Sequence, residues 1–223
     1  MKRIPLFLAV AAMVFFLACK GMEEAKMEPI PAADFTVVAV MHTVKDFDGW
    51  KKVYMSDDSL RNAMGMKTFT MGRGVDNPNM VYVTNKVSDL QKAKDFLNNP
   101  RLKMVMDSAG VTSAPEVVFA KVVRMDTTAP GSRLRMRVAH HVKDYDAWLK
   151  TYDGEGRTAR LTYGLADRSL ARDINDPNMV YITFYIMDKD KAMARFSSPE
   201  LKKLMTDAGV DSEPKTLLYN TVN

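Results

Sequence analysis

The sequence contains few of the residues from which metal and redox sites are built. It has one Cys and three His among 223 residues. A single Cys excludes an internal disulfide framework and any Cys-rich zinc or iron–sulfur site, and three His leave little for a His-based metal cage. A Gly-Lys phosphate loop, a G-x-G-x-x-G turn and a G-x-S-x-G elbow are also missing from the sequence. We therefore predict no metal site and no cofactor.

The overall composition is that of an ordinary globular protein, with 47% hydrophobic and 26% charged residues. The formal net charge is +5. The basic residues are scattered among acidic ones and form no aromatic-lined groove, so we expect no nucleic-acid partner. The 18 methionines fall mostly at apolar positions, which favours core filling over a copper site.

The first eighteen residues have the features of an export signal. Lys2 and Arg3 precede an apolar run over residues 6–17, which is too short to span a bilayer and is typical of a signal peptide. The run ends in Phe-Leu-Ala-Cys19, which resembles a bacterial lipoprotein lipobox with Phe where Leu is usual. The resemblance implies cleavage before Cys19, lipidation of Cys19 and a membrane anchor formed by the acyl chains. A plain secretory signal is the alternative.

The segment after Cys19 predicts a location. Lys20, Glu23 and Glu24 resemble the export signal of surface lipoproteins, which implies a lipid anchor in the outer membrane of the bacterial cell envelope and exposure at the surface. Residues 19–34 show no periodicity and are interpreted as a flexible tether.

The remaining chain contains two copies of one pattern. The matched segments are residues 42–50 with 140–148, 76–84 with 175–183, and 109–111 with 208–210. An offset of about 98 to 99 residues is typical of a duplicated domain. The predicted organisation is a signal peptide over residues 1–18, a lipidated Cys and tether over 19–34, a first domain over 35–124, a linker over 125–133 and a second domain over 134–223.

Each copy predicts the same order of elements. In the first copy, residues 35–43, 67–74, 80–87 and 115–123 are typical of strands. One helix follows the capping residue Asp46, a second covers residues 89–97, and a third begins at Asn99-Pro100. The order βαββαβ is that of a ferredoxin-like domain, which places the chain in the α+β class.

This order, together with the His-x-Val-Lys-Asp and Ala-Gly-Val segments of both copies, resembles the dimeric α/β-barrel superfamily, which includes antibiotic-biosynthesis monooxygenase-like domains. The resemblance covers residues 35–223. It implies that two sheets pack face to face and that the tandem copies form an intramolecular barrel, a monomeric pseudo-dimer. Members include cofactor-free oxygenases, isomerases, haem-binding enzymes and proteins of no known activity, so the fold alone leaves the activity open.

Strand alternation predicts which side chains face the barrel interior. In the second copy Leu134, Met136 and Val138 should meet the helices, so that Arg135, Arg137 and His141 face inward. Tyr181 and Tyr185 should join them, opposite Tyr82 and the apolar positions Val37, Ala39 and Met41 of the first copy. One copy thus has an apolar lining, while the other has a basic and polar lining.

The inward-facing arginines lead to the main functional hypothesis. Buried guanidinium groups are costly without acids, water or an anionic ligand. We predict a ligand site of Arg135, Arg137, His141, Tyr181, Tyr185 and Tyr82 that takes a small acidic or aromatic molecule. The alternative is that the arginines pair with acids of the other copy or lie at a solvated strand end.

His42 and His140 end the first strand of their copies and are secondary site candidates. Their retention in both copies favours a structural role, with a hydrogen bond to the strand–helix loop. The other hypotheses are a general base in a cofactor-independent monooxygenase-like enzyme and an axial ligand in a haem-binding protein. Whether the protein is catalytic stays open at this point.

Overall fold

The computed structural model describes residues 27–128 and 130–222, and its strands form one closed barrel with helices outside. The strands are β1 Ala32–Thr43, β2 Met66–Gly74, β3 Met80–Val87, β4 Glu116–Met125, β5 Leu134–His141, β6 Leu165–Asp173, β7 Met179–Ile186 and β8 Lys215–Thr221. The helices are α1 Phe47–Ser56, α2 Asp58–Ala63, α3 Leu90–Leu97, α4 Pro100–Ser108, α5 Tyr145–Thr162, α6 Lys189–Phe196 and α7 Pro199–Asp207. The predicted signal peptide and Cys19 lie outside the described residues.

The barrel is built from two equivalent antiparallel sheets. The first copy supplies the order β4-β1-β3-β2 and the second supplies β8-β5-β7-β6. Pairing of β2 with β8 and of β4 with β6 closes the barrel. The predicted fold class is therefore confirmed: two tandem ferredoxin-like units form an intramolecular α/β barrel.

Local sequence signals determine most helix starts. The side chains of Asp46 and Asp144 accept hydrogen bonds from the backbone N–H groups of Gly49 and Ala147, which caps α1 and α5. Helix α4 has Asn99 at its N-cap and Pro at its first turn. The short helix α2 was not predicted. Within the described ranges, every helix is too short or too polar to cross a membrane.

The outer face of each sheet packs on the helices and forms a separate hydrophobic core. Trp50 stacks on Tyr54 with ring centroids 5.0 Å apart, and Trp148 stacks on Tyr152 at 5.1 Å. Met136 belongs to the second core and is 2% exposed. The predicted alternation along β5 therefore agrees with the structure.

The segment before β1 is held against the second copy. Ile30 is 3% exposed and belongs to the core of the second copy. The backbone N–H of Met27 donates to Thr158 Oγ1 at 3.0 Å, and that of Met125 donates to the carbonyl oxygen of Pro31 at 2.8 Å. The interpretation of residues 19–34 as a free tether is therefore wrong for residues 27–34, because burial of Ile30 orders this segment.

Candidate functional site

A cavity of about 270 Å³ lies inside the barrel between the two sheets. The structure brings four of the predicted site residues to its wall: Arg135, Arg137, Tyr181 and Tyr82. The rest of the wall includes Val37, Ala39, Phe69, Val118, Ala120, Val122, Met125, Arg168, Ser169, Ala171, Thr183 and Tyr219. Tyr185 is 3% exposed and lies beneath Arg135, whose guanidinium carbon is 3.7 Å from the ring centroid.

Arg137 is the deepest cation of the cavity. It is 5% exposed, and its guanidinium carbon lies 4.7 Å from the ring centroid of Tyr181. Its Nη2 atom has no hydrogen-bond partner among the described residues. The arginine ion pairs of the described residues all belong to other arginines. A buried cation without a carboxylate partner is costly, so an anion in the cavity would stabilise it.

Arg135 and Arg168 are half-buried and extend the positive wall. Arg135 Nη1 donates to the carbonyl oxygen of Ser132, and Arg168 Nη1 donates to that of Asp126. Burial lowers the pKa of Arg135, while the neighbouring Tyr185 acts in the opposite direction. Main-chain carbonyl groups thus satisfy part of these guanidinium groups, and the cavity retains positive charge.

Arg168 was missed by the sequence prediction because strand alternation fails around it. β6 changes register between Asp167 and Ser169, and both Arg168 and Ser169 line the cavity. A β-bulge of this kind lets two successive residues share one face. The register of β2 shifts at the equivalent Phe69, so the bulge is common to both copies, but alternation of apolar and polar residues in the sequence does not signal it.

The tyrosines of the cavity are neutral hydrogen-bonding groups. The rings of Tyr82 and Tyr219 lie 4.8 Å apart between centroids. Burial raises the pKa of both, and for Tyr82 the nearby Arg137 opposes the shift. The hydroxyl of Tyr181 donates to Asp173 Oδ2 at 3.2 Å, and burial and this carboxylate raise its pKa. The hydroxyls of Tyr82 and Tyr219 can donate hydrogen bonds to an anion at neutral pH, whereas the single O–H of Tyr181 is already donated to Asp173. Because all three phenols are un-ionised at neutral pH, they do not act as bases.

His141 does not line the cavity, which corrects the prediction that it faces inward. It is the last residue of β5, where the strand leaves the barrel. Its Nδ1 lies 2.6 Å from Asp211 Oδ1, and its Nε2 lies 3.5 Å from Asp176 Oδ2. The hydrogen bond with Asp211 raises the pKa of His141. The ring therefore belongs to an acidic surface cluster.

His42 and His140 face the helices, on the opposite side of the sheets from the cavity. Each lies edge-on to a tryptophan, with centroid distances of 5.5 Å to Trp50 and 5.6 Å to Trp148. Neither ring nitrogen of either residue has a partner among the described residues, so the predicted bond to the strand–helix loop is absent. Burial lowers the pKa of both to about 4, which leaves both rings neutral at pH 7.

The surroundings of these histidines do not fit haem. His42 and His140 line crevices of about 90 and 80 Å³ under the helices, far too small for a porphyrin. His141 is held by Asp211 at the surface. Among the described residues, three or more His, Cys, Asp or Glu side chains do not gather in a cluster suited to a metal ion.

Comparisons with known proteins agree with the barrel architecture. No family model matches the chain, and no curated protein matches it. An anthrone oxidase-like protein of known structure is 15% identical, with a TM-score of 0.58 over 87% of this chain and 95% of that chain. A candidate monooxygenase from Fusobacterium nucleatum is 12% identical, with a TM-score of 0.53 over 85% of this chain and 93% of that chain.

A third solved structure, a candidate monooxygenase from Lactobacillus acidophilus, is 14% identical, with a TM-score of 0.51 over 84% of this chain and 94% of that chain. At these identities the likeness establishes the fold and leaves the activity open. The chain therefore shares the fold of these solved structures, an α/β barrel of eight strands, and both halves of the barrel belong to one polypeptide.

Proposed function

We propose that this chain is a cell-envelope lipoprotein whose barrel binds a small acidic or aromatic molecule in its interior. The observation that supports ligand binding is the buried Arg137, which lines the cavity and takes part in none of the ion pairs among the described residues. A guanidinium group can bind a carboxylate or a phosphate through two hydrogen bonds. The ring of Tyr181 beside it and the apolar residues opposite suit an aromatic body.

Calorimetric titration with 2-naphthoate tests the proposal, with neutral 2-naphthamide as the uncharged comparison. Wild type should bind the carboxylate and not the amide. Arg137→Met should weaken binding about ten- to a hundredfold, because a charge-assisted hydrogen bond contributes about 1.5–3 kcal/mol. Arg101→Met, which removes an exposed arginine of α4, should leave the affinity unchanged. Equal affinity of Arg137→Met and wild type would reject the site.

The anchor is tested separately because Cys19 lies outside the described residues. Cys19 is the only thiol of the chain, so Cys19→Ser should abolish acylation and release the protein from the outer-membrane fraction. Radiolabelled palmitate incorporation and membrane fractionation measure the two effects. A Cys19→Ser protein that stays in the membrane fraction with unchanged gel mobility would contradict lipidation.

A second candidate function is a cofactor-independent monooxygenase-like enzyme. The observation that favours it is that the buried imidazoles of His42 and His140 have no hydrogen-bond partner among the described residues, so that each keeps a ring nitrogen able to accept a proton as a general base. Oxygen consumption with a hydroquinone tests this function. His42→Leu together with His140→Leu should abolish it, whereas Arg137→Met should not. Absence of oxygen consumption by wild type would exclude this candidate for the tested substrate.

A further inference from the structure

The two walls of the cavity differ in charge although they come from equivalent copies. Val37 and Ala39 of β1 correspond to Arg135 and Arg137 of β5, and Phe69 of β2 corresponds to Arg168 of β6. All six side chains line the cavity. Three apolar residues in one copy are therefore matched by three arginines in the other.

The strand order places these matched residues on opposite walls. In the closed barrel β1 and β5 are separated by three strands in either direction, as are β2 and β6. The three arginines thus lie across the cavity from their apolar counterparts. Val118, Ala120 and Val122 of β4 complete the apolar wall. The apolar wall also carries the hydroxyl groups of Thr70, Tyr82 and Thr84, and the ammonium of the exposed Lys86 lies 4.8 Å from the ring centroid of Phe69. A second charged group placed deeper, against Val37, Ala39 and the β4 residues, would lose its hydration without a partner.

The barrel has two pseudo-symmetric seams, and within the part of the chain that the structure describes they differ in the space beside them. The cavity lies by the β4–β6 seam, where Ala120 and Ala171 contribute small side chains. At the β2–β8 seam the equivalent positions hold Tyr219 and Gly72, and the tyrosine ring fills the space. The open space inside the described barrel is therefore the cavity of about 270 Å³ on one side of its pseudo-symmetry axis.

We propose that the ligand is an amphipathic monoanion, bound once per chain, with its charged head on the arginine wall and its apolar body on the wall of the first copy. This inference rests on the proposed function and adds the polarity, orientation and stoichiometry of the ligand. The half-buried positions of Arg135 and Arg168 and the deep position of Arg137 provide several donors for one head group.

Matched mono- and dicarboxylates test this inference on the protein that comprises residues 27–223. The probes are 2-naphthoate against 2,6-naphthalenedicarboxylate, and octanoate against octanedioate. Each monoanion should bind at least about tenfold more tightly than its dianion, because the second charge would face apolar side chains. The stoichiometry should be one ligand per chain. Equal or tighter binding of the dianions, or two ligands per chain, would overturn the inference.

Phe69→Arg provides the converse test. It introduces an arginine on the apolar wall, at the position equivalent to Arg168 of β6. Phe69 is half-buried, so the introduced guanidinium can reach solvent and the fold should tolerate it. The preference for monoanions should fall by about tenfold. Leu90→Arg adds the same charge on the exposed side of α3 and should leave the preference unchanged. An unaltered preference in Phe69→Arg would contradict the proposed orientation.

The two levels of the proposal fail differently. If none of the four carboxylates binds, or if Arg137→Met binds them as wild type does, both the function and the inference are rejected. If mono- and dicarboxylates bind alike and Arg137→Met weakens both, the anion site stands and the amphipathic ligand is rejected.

Discussion

The ring of Tyr219 packs directly on Gly72 inside the barrel, so closely that a Cβ atom on Gly72 would lie 2.3 Å from Cδ2 of the ring. Tyr219 is 2% exposed. The equivalent residues of the other seam are Ala120 and Ala171, which leave space there. One tyrosine and one glycine thus make the interior of a duplicated barrel asymmetric.

Filling the cavity from the β4 side should block the site. Ala120→Tyr copies the residue present at the equivalent position of β8 and should reduce 2-naphthoate affinity at least about tenfold. Ala171 occupies the position equivalent to Gly72, so its Cβ should meet the new ring and destabilise the fold by about 1–3 kcal/mol, and Ala171→Gly in the same protein should relieve this clash. Calorimetric titration and chemical denaturation measure both effects. Unchanged affinity in a folded Ala120→Tyr protein would place the ligand elsewhere.

Gly72→Ala should destabilise the protein because its Cβ would clash with the ring of Tyr219. Displacement of a buried ring by overpacking costs about 1–3 kcal/mol. Gly154→Ala is the control: Gly154 lies in α5, two residues before the non-helical Gly156, with open space around its Cβ position. Alanine there should leave the free energy of unfolding unchanged or raise it by up to about 1 kcal/mol. Denaturant melts should show a lower free energy of unfolding for Gly72→Ala and no decrease for Gly154→Ala. An equal decrease in both variants would contradict the packing of Tyr219 on Gly72.

Neighbouring residues of β5 should respond in opposite ways to truncation. Arg137→Met removes an unpaired buried cation and should leave the free energy of unfolding within about 1 kcal/mol of wild type or raise it. Met136→Ala should lower that free energy by about 2–5 kcal/mol, because Met136 is 2% exposed in the core under the helices. If Arg137→Met unfolds and Met136→Ala does not, the facing of β5 is inverted.

The duplicated chain should behave as a compact monomer. Both sheets of the barrel belong to one polypeptide, so residues 27–223 should scatter light as a single chain. A fragment of residues 27–124 would expose the inner face of its sheet, with Tyr82 and Val37, and should dimerise or aggregate. A stable, well-folded monomer of that fragment would refute the pseudo-dimer. The longer fragment starts at residue 27 because Ile30 belongs to the second core.

The two buried histidines should make the protein sensitive to mild acid. Their folded-state pKa of about 4 lies below the ordinary 6.5, so the unfolded state takes up protons first as the pH falls. The free energy of unfolding should decrease between pH 6.5 and 4, by about 3 kcal/mol for each histidine. Denaturant melts across this range should show the decrease in wild type and a much smaller one after His42→Leu and His140→Leu.

His141 is the internal comparison for this pH dependence. Its pKa is raised by Asp211, so its contribution to stability is present below the ordinary pKa and is lost as the pH rises through the raised value. His141→Gln should therefore change the neutral-to-alkaline side of the profile and leave the acid-induced decrease intact. If the acid-induced decrease disappears in His141→Gln, the effect comes from His141 and its assignment to His42 and His140 is wrong.

Local pattern was sufficient for the order of the elements except the short helix α2, and for part of the site. The repeated segments, the capping residues Asp46 and Asn99, and the alternation along β5 all depend on neighbours in the chain. For that reason the inward positions of Arg135 and Arg137 could be predicted without a structure. The sequence could not predict that Arg135 and Arg137 have no carboxylate partner among the described residues, because ion pairs depend on residues that are distant in sequence.

The remaining features of the site follow from contacts between distant parts of the chain. A bulge in β6 turns Arg168 toward the cavity. His141 lies at the end of β5, outside the cavity, where it contacts Asp211 and Asp176. Docking of Ile30 on the second copy and of Tyr219 on Gly72 joins residues that are far apart in sequence. The sequence by itself thus determined the duplicated fold and the facing of its regular strands, because these depend on local periodicity. Tertiary packing alone decided that a cavity stays open by the β4–β6 seam and that Arg137, which lines it, has no carboxylate partner among the described residues.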